Sequence, residues 1–303
     1  MLLKLIPFVF VWLWASGFIG ARLGLEYAEP ATLLSIRMVG NVMLFAALVW
    51  LLKRNIPKGK AFIHAFIVGV LIHGFYLGGS YLAIGSGMPA GLSSLLVGLQ
   101  PIITALVMVG FSQQKFRLSQ WLGLGLGFLG ICLVLIGDIE WQNDEHRLFA
   151  FGTCMLALFG ITFGTLYQKR FCQGTDIVGS AMIQYLAAGM LFAPVAMQFE
   201  TGKVDWSIEF LLTLLWLVVV LSCFAVLLLL YMVEHGAASS VASVFYLVPP
   251  VTAIQAWLMF GESFDALGGL GFALAALAVY LVTRKPKILI RHQDQASDLS
   301  LVK

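Results

Sequence analysis

The chain has 303 residues, of which 60% are hydrophobic and 11% charged, with a formal net charge of +3. A soluble domain carries about 25% charged residues, so a soluble enzyme or binding module is excluded, and the mean hydropathy of +0.95 points to an all-α, polytopic integral membrane protein. No basic stretch interleaved with aromatics suggests nucleic-acid binding, and Cys132, Cys154, Cys172 and Cys223 show neither CxxC nor His-Cys spacing, so no disulfide framework, metal or cofactor is expected.

Apolar runs of about 20 residues, the length that spans a bilayer, lie at 5–25, 31–52, 61–84, 87–111, 117–137, 148–171, 177–198, 207–233, 236–260 and 265–284. The expectation is ten transmembrane helices with short connectors. The first follows Met-Leu-Leu-Lys and is long enough to be a retained helix inserted like a signal anchor. It carries "WLWASGFIGARLG" and no acidic residue before its outer end.

The second span holds Arg37 about two turns from its start and Asn41 one turn further. A guanidinium there could grip a substrate carboxylate in a bidentate fork. Equally, Arg37 could pair with Glu26 or Glu29, although Arg22 and Glu26 are already i,i+4 partners. In the third span Gly69, His73, Tyr76 and Ser80 follow one another at i+4, i+3 and i+4 steps, which on a regular helix is one stripe. His73 and Tyr76 could meet a substrate or pass a proton; the structural alternative is that His73 bonds a neighbouring carbonyl while Tyr76 packs.

The fourth span carries Gln100 and Pro101, with Ser93 and Thr104 on the same face as Gln100. Pro101 cannot donate to the Val97 carbonyl, and a matching break at Pro249-Pro250, beside Tyr246, occurs in the ninth span. Paired breaks point to a transporter site, the alternative being structural kinks. "GLGFLG" (Gly125–Gly130) matches a dinucleotide fingerprint but lacks the required strand; Gly123 and Gly127 instead form a face for close helix packing. Gly268, Gly269, Gly271 and Ala275 repeat this in the last span. Gln184 in the seventh span is a further site candidate. The tail 286–303 reads as basic then polar, and cytoplasmic.

With the N-terminus inside, 14 of the 18 Lys and Arg residues fall on one side, which places both termini in the cytoplasm of a bacterial-type inner membrane. An offset of 149 residues lays Pro101 on Pro250, Ser94 on Ser243, Phe111 on Phe260 and Leu118 on Leu267. Five spans per unit is odd, so the second unit must be inverted, giving repeats at 1–137 and 148–285.

With these features in place, the chain resembles the EamA-type branch of the drug/metabolite transporter superfamily over roughly 5–285. "WLWASGFIGARLG" and "LLSIRMVGN" carry the likeness in the first half, and "ASSVASVFYLVPPVTAIQAWLMFGESFDALGGLGFALAALAVYLV" in the second; Gln113 stands where the second half has Glu262. The resemblance implies ten helices, alternating access and transport of small metabolites, often amino acids and commonly outward. The expected function is therefore a secondary transporter of an amino acid or related zwitterion, working as monomer or homodimer in the bilayer. A broad-specificity drug/metabolite exporter is the alternative. An intramembrane enzyme is disfavoured by the lack of a GxSG or GxGD motif. The candidate substrate-binding residues are His73, Tyr76, Ser80, Gln100, Arg37, Asn41, Tyr246 and Gln184.

Overall fold

The computed structural model describes residues 6–112, 118–137, 146–225, 228, 245–262 and 265–283. Its elements in chain order are α1 (Ile6–Gly24), α2 (Pro30–Leu51), α3 (Lys60–Gly85), α4 in two pieces (Ala90–Val97 and Gln100–Ser112), α5 (Leu118–Gly137), α6 (Arg147–Phe171), α7 (Ile177–Phe199), α8 (Ile208–Ala225), α9 (Val248–Phe260) and α10 (Ala266–Thr283). No strand is present among the described residues, only an isolated bridge between Ala28 and Val204. Seven of the helices are long and apolar enough to cross a membrane, and α5, α9 and α10 contribute shorter apolar stretches. The end of the expected eighth span and the start of the ninth lie mostly outside the described residues.

Helix boundaries follow local chemistry where a cap is available. Pro30 opens α2, where its missing N–H is no loss. The Asp176 carboxylate accepts from the amides of Val178 and Gly179 to start α7, and Ser207 accepts from Phe210 to start α8. Gly261, at φ 69°, closes α9 in the left-handed conformation that glycine adopts without strain.

Pro101, Pro249 and Pro250 also sit at helix starts. The break in α4 is the turn at Gly98–Leu99, so Pro101 falls in the first turn of the second piece, where it displaces no intrahelical bond. Pro249 and Pro250 likewise lie in the first turn of α9, after a 3-10 turn at Phe245–Leu247. The two breaks face each other: a Cβ on Gly98 would approach Pro249 Cγ to 2.7 Å.

Two helices widen in mid-course. Gly69–Tyr76 in α3 and Trp216–Ala225 in α8 form π turns. The 149-residue offset carries Tyr76 onto Ala225 and His73 onto Ser222, so the widenings are repeat-equivalent.

The equivalent helices α2 and α7 run antiparallel. The first amides of α2 bond Glu200, just beyond the end of α7, while Gly179 near the start of α7 lies against Asn55, just beyond α2. The repeats are therefore inverted. One end of the bundle, the Glu262 end, gathers the connections after α1, α3, α7 and α9. The opposite, Asp176 end holds the connections after α2 and α6.

Glycines set the closest crossings. A Cβ on Gly69 would strike the backbone of Gln184, one on Gly79 the backbone of Thr153, and one on Gly130 the Gly271 carbonyl. Outside, Trp50, Leu148, Met197 and Phe199 stand exposed, a surface suited to hydrocarbon.

Candidate functional site

The interior polar groups concentrate where α2, α3, α7 and α8 meet. Gly40 of α2 approaches Val218 of α8, and Met38 faces Gly189 of α7; Arg37 and Asn41 share the arc between those two contacts. Arg37 is 6% exposed, and its Nη1 donates to the Tyr81 hydroxyl of α3 at 2.7 Å. Its Nε has no hydrogen-bond partner among the described residues, and neither amide atom of the fully buried Asn41 has one.

Glu26 and Glu29 do not neutralise this guanidinium. Glu29 accepts from the amide and hydroxyl of Thr201, at 2.7 and 2.6 Å, and among the described residues the ion pairs are Arg22–Glu262 and Arg54–Asp176. A buried cation without a counter-charge is expensive, and buried polar atoms are rarely left unpaired. The geometry thus presents a buried cation with amides and hydroxyls around it, which suits an anionic group carrying further polar substituents.

The wide turn of α3 brings His73 against α7. Its ring lies 4.4 Å from that of Tyr185, tilted by 39°, and Gly69 of the same turn lies against the Gln184 backbone. Tyr185 also lies near Ser222 in the wide turn of α8, whose hydroxyl donates to the Leu217 carbonyl, and packs on Phe45 of α2 at 5.3 Å. Tyr185 therefore packs on the α3 widening and lies near the α8 one. Arg37 bonds Tyr81 of α3, and His73 of α3 packs on Tyr185 of α7, so side chains of α2, α3 and α7 share one polar centre.

Of the residues singled out from the sequence, Arg37, Asn41, His73, Tyr76 and Gln184 gather here. Ser80 lies next to Tyr81, buried, with its hydroxyl unpartnered among the described residues. Gln100 turns elsewhere: its amide donates to Thr165 of α6 at 2.9 Å, and no hydrogen bond among the described residues joins it to the Arg37 cluster. The side chain of Tyr246 lies outside the described residues. The expected polar lining beside the prolines is replaced by an apolar crevice among Leu95, Gly98, Leu99, Pro249 and Pro250, of about 10 Å³, room for one water. The breaks thus pack against each other and leave the polar centre to α2, α3, α7 and α8. Ser222 was not among the site candidates; the offset that maps His73 onto it was the available signal.

Two segments of the chain, residues 4–136 and 148–284, match the model of the EamA-like transporter family. Similar proteins include the uncharacterized transporter YdfC of Bacillus subtilis, 25% identical with 92% of each chain covered, and the uncharacterized inner membrane transporter YedA of Escherichia coli K12, 24% identical with 94% of each covered. A WAT1-related chloroplastic protein of Arabidopsis thaliana is 21% identical, covering 91% of this chain and 67% of its own length. A solved crystal structure shares the fold at a TM-score of 0.65 and 15% identity, covering 92% of this chain and 97% of that one.

Proposed function

Because the chain belongs to the EamA-like transporter family, we propose that it is a secondary transporter that moves an amino acid or related zwitterion by alternating access, in the outward direction. The observation that carries the substrate class is Arg37, buried and without an acidic partner among the described residues, with the unpaired Asn41 amide one turn away. A single interior cation among the described residues suits one carboxylate; a sugar phosphate or nucleotide would require several. The basic residues of the connections after α2 and α6 support a cytoplasmic Asp176 end, which makes the Glu262 end external.

The test is counterflow of radiolabelled neutral amino acids in proteoliposomes. Arg37→Met should weaken carboxylate substrates about 10- to 100-fold, the scale of charge-assisted hydrogen bonds, while Gln100→Ala stays within about twofold. His73→Ala should impair flux more than Gln184→Ala. Full amino-acid flux in Arg37→Met would overturn this substrate assignment, and retained flux of lipophilic cations alone would favour the broad-specificity exporter. That second reading draws on the aromatic wall of Tyr76, Tyr81 and Tyr185.

A further inference from the structure

Glu262 shares no hydrogen bond with the polar centre among the described residues, yet its side chain is only 8% exposed and it joins three elements. Its carboxylate is ion-paired with Arg22 in the last turn of α1 and accepts from the amides of Ala90 and Gly91, at 3.2 and 3.3 Å, where α4 begins. The left-handed cap at Gly261 turns the chain out of α9 and delivers the carboxylate to this junction. The Arg22 guanidinium also lies 4.4 Å from the centre of the Phe260 ring, at the end of α9. No side chain of α4 itself caps these amides; the second repeat supplies the cap.

The piece of α4 held in this way, Ala90–Val97, is buried throughout and ends at the Gly98–Leu99 turn. The helix pair that carries Arg37, Asn41 and Gln184 is secured differently. Glu200 accepts from the amides of Ala31 and Thr32 at one end of α2 and α7, and Arg54 pairs with Asp176 at the other. Among the described residues, the charged tie of α1, α4 and α9 exists at the Glu262 end alone. A pair with one partner over a third exposed is weak enough to break and re-form, whereas fully buried charges would resist separation.

We propose that Glu262, with Arg22 and the start of α4, is a latch that closes this mouth of the bundle, and that its release lets Ala90–Val97 pivot at Gly98–Leu99 to open the interior. The proposal rests on the alternating-access reading for its meaning in transport, but its test needs no substrate. The native probe is Cys154 of α6, fully buried and 3.8 Å from the hydroxyl and carbonyl oxygens of Ser93, directly behind the latch.

The experiment uses the full chain in proteoliposomes, with Cys132, Cys172 and Cys223 replaced by serine. A membrane-impermeant maleimide is applied from the Glu262 side, and labelling of Cys154 is followed by mass spectrometry. Glu262→Ala and Arg22→Gln should each accelerate labelling about tenfold or more. In the Arg22→Cys, Glu262→Cys double variant, oxidation to the disulfide should return Cys154 to its slow parental rate and reduction should release it. Parental labelling rates in both single variants would sink the latch. So would fast labelling that persists after cross-linking, because that reports general loosening of the fold. Failure of amino-acid counterflow with the labelling pattern intact would remove the substrate assignment and leave the latch standing.

Discussion

At the scale of single residues, the acidic partners decide what Arg37 can do. From sequence, pairing with Glu26 or Glu29 and binding of a substrate were equal alternatives for this guanidinium. The fold directs Glu29 to Thr201, Glu200 to the start of α2 and Glu262 to Arg22, which leaves Arg37 with Tyr81. Asn41 separates stability from function. Its amide is buried without a partner among the described residues, and such a group is unfavourable by about 1–3 kcal/mol. Asn41→Leu should therefore keep or raise the thermal unfolding midpoint in detergent while lowering counterflow at least tenfold. A lower midpoint would mean that the amide serves packing.

At the scale of elements, the regular 3.6-residue period was a good guide except where a helix widens. The stripe Gly69, His73, Tyr76 and Ser80 assumed an unbroken α-helix, and π turns across Gly69–Tyr76 rotate the residues beyond them onto a different face. Gly69 still meets Gln184 and His73 meets the adjacent Tyr185, whereas Tyr81, one position past the stripe, reaches Arg37. Helix contacts give a second prediction. A Cβ on Gly79 would meet the Thr153 carbonyl and the Ala157 amide nitrogen, while one on Gly152 meets nothing within 4 Å. Gly79→Ala should destabilise by about 1–3 kcal/mol, and Gly152→Ala should be neutral or mildly stabilising through helix propensity. Thermal melts of the two variants side by side check this, and equal midpoints would contradict the packing at Gly79.

At the scale of the whole molecule, carboxylates from the second repeat secure helices of the first at one end of the bundle. Glu29 adds the reverse link, and the hydrogen bonds from Thr201 hold its carboxyl below the ordinary value of 4.5. A carboxyl lowered in the folded state stabilises above its unfolded value and loses that contribution as pH falls through the folded value. Acidification from pH 7 to below about 4.5 should thus weaken this link in the parent protein more than in Glu29→Gln. The difference in unfolding midpoint between the two should shrink at low pH; a constant difference would show that Thr201 does not hold the ionised form.

The sequence by itself determined the membrane environment, the helical class, the approximate bounds of the described helices and the repeat. Those properties are local or periodic: in lipid, backbone polar groups must be satisfied within each helix, so hydropathy, prolines and caps mark where helices run. Only the tertiary structure decided which charge meets which. Arg22 and Glu262 stand 240 residues apart, and Ala31 and Glu200 stand 169 apart. Such pairs depend on the azimuth and depth at which inverted helices pack, and composition and spacing carry no record of either.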